Sequence, residues 1–372
     1  MGRTGRLAVY VTSHGFGHLN RAVAVINRVP EDVPITIRSH PNLFAHWGER
    51  LRRPATLEPH VSDVGALSPP GDSATVDGPA TLDLAARVHA EAMAGVDAEA
   101  KRLAEERTAA VLCDVTPVPL VAAQRAKVPG FLLANFTWAD IYEPHARRLG
   151  GEAPRLVAEI RKAYRHASLV FRAEPALRLA NLGPTVEVGL VVTPGRNRSE
   201  ELRGQFGLRP IDRLVYFYIG RYGQANLGWD RLERLAGRGV HFIGFHAPPE
   251  RTIPNFHVVS PDAWTGADLA ASTDVVVAKA GYGTVCESIA AGTPMIYPPR
   301  AGFAEHRALD RALRLWGGGI PASTREFTEL RLDRLLERAF ASTPGPPPFP
   351  TDGALRVAEL LTQTCLRPAS DA

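Results

Sequence analysis

Short apolar segments rich in branched residues alternate with helical stretches along the whole chain, and the alternation restarts halfway. Residues 7–12 (LAVYVT) read as a buried strand, and a helical pattern at 19–29 stops at Pro30. A strand at 35–38, a helix at 42–51, an Ala-rich helix at 82–106, a strand at 109–113, a helix at 118–126 and a strand at 130–134 come next. The Gly- and Pro-bearing stretch 188–196 (VGLVVTPGR) reads as a domain boundary. The rhythm then resumes. Strands are expected at 213–219, 240–243, 256–259, 274–278 and 294–297, and helices at 227–235, 284–291, 307–316 and 330–340. A Pro-rich stretch, 343–350, precedes a last amphipathic segment at 354–361.

Such alternation implies parallel strands joined by crossover helices. A chain of 372 residues exceeds what one core usually holds, so two βα-repeat halves are predicted. The boundaries are 1–190, 191–350, and a C-terminal helix in 351–372. One long polar stretch, 62–79, is rich in Gly, Pro, Ser and Asp and reads as a functional or disordered loop.

The net charge of +4 does not signal a nucleic-acid partner. Only four of the 43 basic residues are Lys, and the tightest cluster is Arg50, Arg52 and Arg53, which reads as a solvated face. Three cysteines, Cys113, Cys286 and Cys365, lie far apart with no C-x-x-C pair, so neither zinc nor a disulfide framework is expected. A reduced cytoplasm fits. No apolar run reaches the length of a membrane span, no signal peptide is seen, and no amphipathic basic helix suggests peripheral membrane contact.

Ligands of doubly wound sheets bind at the carboxyl ends of strands, so the residues just after each strand carry the functional reading. After the first strand stands His14-Gly15-Phe16-Gly17-His18. The glycines let backbone approach a ligand, and a His near a helix N-terminus favours the neutral imidazole that accepts a proton. The competing reading is a turn with two exposed histidines. Asp114 follows the 109–113 strand; it can orient a catalytic imidazole or simply cap the next helix. In the second half, Gly281-Tyr282-Gly283-Thr284 opens a helix after a strand, where backbone N–H groups suit a diphosphate. Glu287, placed in the first turn, is suited to two ribose hydroxyls. Gly220 and Arg221 follow the first strand of this half and offer a second phosphate contact, or only a surface turn. Phe136 and Trp138 line an acceptor pocket or pack in the core.

Residues 280–300 (AGYGTVCESIAAGTPMIYPPR) resemble the donor-site signature of GT-B glycosyltransferases, and especially the branch containing the lipid II N-acetylglucosaminyltransferase. Residues 10–22 (YVTSHGFGHLNRA), 114–118 (DVTPV), 135–142 (NFTWADIY) and the Asp-x-Gly loop at 63–77 are similar to the glycosyltransferase-like N-terminal region of plant L-arabinokinases. The resemblance covers roughly residues 6–340. It implies an α/β chain of GT-B fold, two Rossmann-like domains facing a cleft, with the C-terminal helix in 351–372 returning to the N-terminal domain. It also implies a nucleotide-sugar donor, UDP-linked by analogy, and a small-molecule acceptor. Gly281, Tyr282, Gly283 and Thr284 then hold the diphosphate, Glu287 the ribose, and Gly220 and Arg221 the first glycine loop of the donor domain. Residues 259–262 meet the base. Glu305 and His306 contact the donor sugar, with His306 departing from the usual Gln. His18 becomes the base of an inverting transfer, His14 the second candidate, and Asp114 its support.

No galactokinase-type domain follows the matching region, so sugar-kinase activity is not carried over. No Asp-x-Asp stands after a strand, so no cofactor and no obligatory metal are expected. Two alternatives remain: a nucleotide-sugar epimerase of the same fold, and a non-catalytic nucleotide-sugar-binding protein. An NAD-dependent oxidoreductase would need G-x-G-x-x-G after the first strand and an acidic residue about 20 positions on, and both are missing. The acceptor, the oligomeric state and the donor's base and sugar are not named by any motif.

Overall fold

In a computed structural model of the chain, residues 5–69, 75–219, 227–248 and 252–365 are described. The chain divides into two compact units, one of residues 1–67, 76–192 and 350–372, the other of 68–75 and 193–349. Among the described residues, no helix is long and apolar enough to cross a membrane.

The first unit is built on a seven-stranded parallel sheet: β1 (Arg6–Val11), β2 (Ile35–Ser39), β3 (Thr56–Pro59), β4 (Thr108–Asp114), β5 (Gly130–Ala134), β6 (Leu169–Glu174) and β7 (Thr185–Leu190), in the order β3-β2-β1-β4-β5-β6-β7. β1, β4 and β5 are apolar on both faces and almost wholly buried, as expected of strands covered by helices on both sides. The reversal of strand order between β1 and β4 defines a switch point. Register places Val11 level with Asp114, so the residues just beyond β1 meet the end of β4.

Several elements differ from the sequence reading. The helix expected at 82–106 is two, Gly78–Ala94 and Val96–Glu105, broken at Gly95. β6, β7 and the helices Trp138–Leu149 and Ala153–Tyr164 fill a region left without elements. Part of the stretch read as a boundary is β7. Its Gly189 takes φ 75°, and a Cβ there would lie 2.3 Å from the Pro350 carbonyl oxygen. Leu190 N–H donates to that oxygen at 2.8 Å, and the helix Gly353–Cys365 packs on β7, β4 and the helix Phe16–Ile26.

The second unit holds a six-stranded parallel sheet: β8 (Arg213–Tyr218), β9 (Val240–Gly244), β10 (Phe256–Val258), β11 (Val275–Ala278), β12 (Met295–Tyr297) and β13 (Gly319–Pro321), in the order β10-β9-β8-β11-β12-β13. This repeats the first unit's scheme, with its switch point between β8 and β11. Val215, Phe217, Phe242 and Val277 pack with Trp229, Leu335 and Leu336 in its core. The helix expected at 227–235 shrinks to Asp230–Glu233, and the one expected from residue 330 begins at Asp333. The sequence pattern does not mark the helices Ser199–Phe206 and Gly266–Ser272.

Candidate functional site

At the first switch point, β1 ends and the chain turns through Gly15, whose φ of 75° favours glycine, into the helix Phe16–Ile26. That helix brings His18 and Arg21, three residues apart and hence on one face, over the end of β4. His18 Nδ1 lies 2.7 Å from Asp114 Oδ1. Arg21 clamps the same carboxylate, Nε to Oδ2 at 2.8 Å and Nη2 to Oδ1 at 2.7 Å, and its Nη1 donates to Asn135 Oδ1 at 2.7 Å. Asp114 and Asn135 are fully buried, Arg21 nearly so, and His18 keeps 9% of its surface exposed.

Burial alone pushes the Asp114 carboxyl up; the Arg21 guanidinium and His18 outweigh it and hold Asp114 below the usual carboxylate range. A carboxylate acceptor assigns the His18 proton to Nδ1, so Nε2 carries the lone pair. Arg21 Nη2 is 3.2 Å from Nδ1 because both donate to Asp114 Oδ1.

His14 sits differently. Its ring meets Trp138 edge-on with centroids 5.3 Å apart and lies 6.4 Å from the His18 ring. A Cβ on Gly65 would fall 1.7 Å from His14 Nδ1, so the ring rests on that glycine. The structure thus brings His18 and Asp114 together and sets His14 beside them, its ring turned to Trp138 and Gly65. Phe136 and Trp138 are both buried, and both pack edge-on or tilted against the His18 ring. They are core residues that also wall the imidazole.

Two participants escaped the sequence reading. Arg21 had a visible signal, its three-residue spacing from His18. Asp63 had only the Asp-x-Gly of the 63–77 loop, to which no role was attached. It accepts a 2.6 Å hydrogen bond from Thr12 Oγ1, and burial raises its carboxyl above the usual range, with Thr12, Thr116, Trp138 and His18 offsetting part of the rise. Ser62 and Thr116 hydroxyls meet beside it at 2.7 Å.

In the second unit, register sets Ala278 of β11 level with Tyr218 of β8. Gly281 then caps the helix Tyr282–Ala291 without a side-chain hydrogen bond, the form in which a helix start can present N–H groups to an anion. Gly283 and Thr284 are half-buried and Tyr282 is buried. Glu287 is the sixth residue of that helix, so it lies in the second turn; no acidic residue is in the first. The first-turn expectation assumed a helix start at residue 284, two positions late. Glu287 faces the start of the helix Gly266–Ser272: a Cβ on Gly266 would stand 3.1 Å from Glu287 Oε2 and 3.1 Å from the Tyr216 hydroxyl.

Glu305 is buried at the start of the helix His306–Trp316. Burial draws the His306 imidazole down, Asp310 opposes this, and Arg300 and Arg314 add to it. Val259 is buried after β10, and Asp262 N–H bonds Ser260 Oγ at 3.2 Å in the turn beyond. Gly220 and Arg221 lie outside the described residues.

The fold is that of the GT-B glycosyltransferases. A kitacinnamycin glycotransferase superposes with TM-score 0.63 at 17% identity, covering 98% of this chain and 100% of its own. Phytolacca americana UGT2, complexed with UDP-2-fluoro-glucose and pterostilbene, gives 0.63 at 14% identity over 97% and 94%. A UDP-glucosyltransferase from Polygonum tinctorium gives 0.64 at 14% over 99% and 100%.

In sequence, the chain is 27% identical over 342 residues to an L-arabinokinase of Arabidopsis thaliana. That match takes in 91% of this chain and 32% of the relative, so the chain spans about a third of the length of the protein it resembles. No protein-family model matches.

Proposed function

We propose that the chain transfers a sugar from a nucleotide-sugar, UDP-linked, to the hydroxyl of a small-molecule acceptor, with inversion and without an obligatory metal. The observation that carries this reading is the His18–Asp114 pair at the β1/β4 switch point, with Nδ1 committed to the carboxylate and Nε2 left as a base. The second unit supplies a helix start suited to a diphosphate and, next to it, the Glu287 carboxylate for ribose hydroxyls.

In the proposed step His18 Nε2 takes the acceptor proton as the acceptor oxygen bonds to the anomeric carbon. The bond from that carbon to the diphosphate breaks on the opposite face, and its electron pair leaves with the diphosphate. The helix dipole at Gly281–Thr284 stabilises the charge that develops there. Asp114 stabilises the imidazolium and keeps its tautomer. UDP is favoured because the Phytolacca americana neighbour holds a UDP-sugar.

Thermal unfolding with UDP, GDP, dTDP, ADP and NAD tests the donor site. A ligand at 100 times its dissociation constant adds about 2.7 kcal/mol to native stability. A rise with UDP that Glu287→Ala removes is the expected result, while no rise with any diphosphate would end the donor reading. Turnover, followed as UDP release from a UDP-sugar with a pool of phenolic and sugar acceptors, should vanish in His18→Ala and persist in His14→Ala. The reverse result would move the base to His14.

A further inference from the structure

The loop after β12 carries a cation with a buried, unanswered N–H. β12 lies beside β11, with Ile296 level with Val277, so the chain leaves the sheet next to residues 279–281, just ahead of the helix assigned to the diphosphate. Arg300 stands in this loop, half-buried. Its guanidinium carbon lies 4.1 Å from the centre of the Phe303 ring, stacked over its face. Its Nε is shut off from solvent and has no hydrogen-bond partner.

Burial draws the Arg300 guanidinium below its ordinary range, and Glu305 is the carboxylate that pulls the other way. Asp310, the next acid along, is already taken by Arg314 at 2.9 Å and by the Tyr297 hydroxyl at 2.8 Å. A few residues on, His306 Nδ1 is likewise buried without a partner. Buried polar groups with open hydrogen-bonding capacity are costly in a folded protein unless something supplies an acceptor.

We infer that Arg300 and His306 form a carboxylate subsite for the donor sugar, and that the donor is a nucleotide-linked uronic acid. This rests on the donor reading above. The diphosphate already has the helix start, whereas Arg300 shares its loop with Glu305 and His306, the residues matched to sugar contacts. A planar guanidinium held flat by an aromatic ring presents parallel N–H groups to a planar carboxylate, a match that a lysine or a sugar hydroxyl does not reproduce. His306, whose imidazole feels the Arg300 charge, has its Nδ1 open as well and is assigned to the same subsite. A neutral hexose offers only single hydroxyl acceptors there, without the charge or the paired oxygens of a carboxylate.

Calorimetric titration of the whole chain with UDP, UDP-glucose and UDP-glucuronate provides the test, on wild type, Arg300→Gln and Arg300→Lys. Wild type should bind UDP-glucuronate roughly ten- to a hundred-fold more tightly than UDP-glucose, the range of a charge-assisted hydrogen-bond pair. Arg300→Gln should erase that preference while leaving UDP affinity in place, and Arg300→Lys should keep part of it. Equal losses for all three ligands would assign the guanidinium to the diphosphate and overturn the uronic-acid inference. No change in Arg300→Gln, or no preference in wild type, would overturn it too. Failure of wild type to bind UDP at all would instead overturn the UDP-linked donor reading, and that result appears before any substitution is made. Circular dichroism of each variant confirms that its fold is intact.

Discussion

Arg21 holds both oxygens of Asp114, Nε at 2.8 Å and Nη2 at 2.7 Å, so the carboxylate that orients His18 is itself neutralised by a buried guanidinium. The His18–Asp114 pair is therefore one part of a three-residue cluster that includes Arg21. Asp114 has to serve two donors at Oδ1, and the geometry of the imidazole depends on Arg21 as much as on the carboxylate.

Removing either charge should be costly. Arg21→Met leaves Asp114 buried without its guanidinium, and Asp114→Asn leaves Arg21 buried without its carboxylate; each should lower stability by about 3–5 kcal/mol. The double variant Arg21→Met with Asp114→Asn should lose much less than the sum, because no unpaired charge is left inside. Urea unfolding of the four proteins measures this, and strict additivity would show that the pair is not coupled.

Asp114 also sets a pH dependence. Its folded value is held below the unfolded carboxylate value near 3.9, so its contribution to stability is complete above that pH. It is lost as pH falls through the lowered folded value. Stability measured from pH 6 to pH 2 should therefore decline more steeply in wild type than in Asp114→Asn. Parallel curves would mean that Asp114 is not held down.

Asp63 should behave in the opposite sense. Its folded value is raised, so the folded state holds its proton longer than the unfolded chain does. That contribution is present below the unfolded value near 3.9 and is lost as pH rises through the raised one. Asp63→Asn, which can still accept from Thr12, should thus be more stable than wild type at pH 7, with the gain gone below about pH 4. A destabilised Asp63→Asn at neutral pH would show that the ionised carboxylate is needed where it stands.

The features legible in the sequence were those fixed by burial on both faces. β1, β4, β5 and β8 are runs of five to seven residues, nearly all apolar inside, and they stand out from any surrounding. β3 (TLEP) and β13 (GIP) do not, because each lies at the end of its sheet, is short, and is partly exposed, so nothing in its composition marks a strand. The helix Trp138–Leu149 carries Pro144 inside, a residue that argues against a helix until its Thr137–Asp140 capping box and packed face are seen. At the site, His18 and Asp114 were visible because Asp114 ends a strand and His18 stands soon after another. Asp63 was not, since only the folded loop brings it to Thr12, 51 positions away.

Two glycines of the second unit separate binding from folding. A Cβ on Gly195 would lie 1.9 Å from the backbone oxygen of Ala267, which cannot move without the helix Gly266–Ser272. A Cβ on Gly266 would instead meet the tip of Glu287 at 3.1 Å and the Tyr216 hydroxyl at 3.1 Å. The first obstacle is main chain, and the second includes a side-chain end that can swing aside. Gly195→Ala should therefore lower stability by several kcal/mol, roughly the scale of overpacking in a core. Gly266→Ala should stay within about 1 kcal/mol of wild type but move the Glu287 carboxylate and weaken UDP binding roughly three- to ten-fold. Thermal unfolding and calorimetry on both variants decide the matter. If Gly266→Ala binds UDP as wild type does, Glu287 is not the group that holds the ribose.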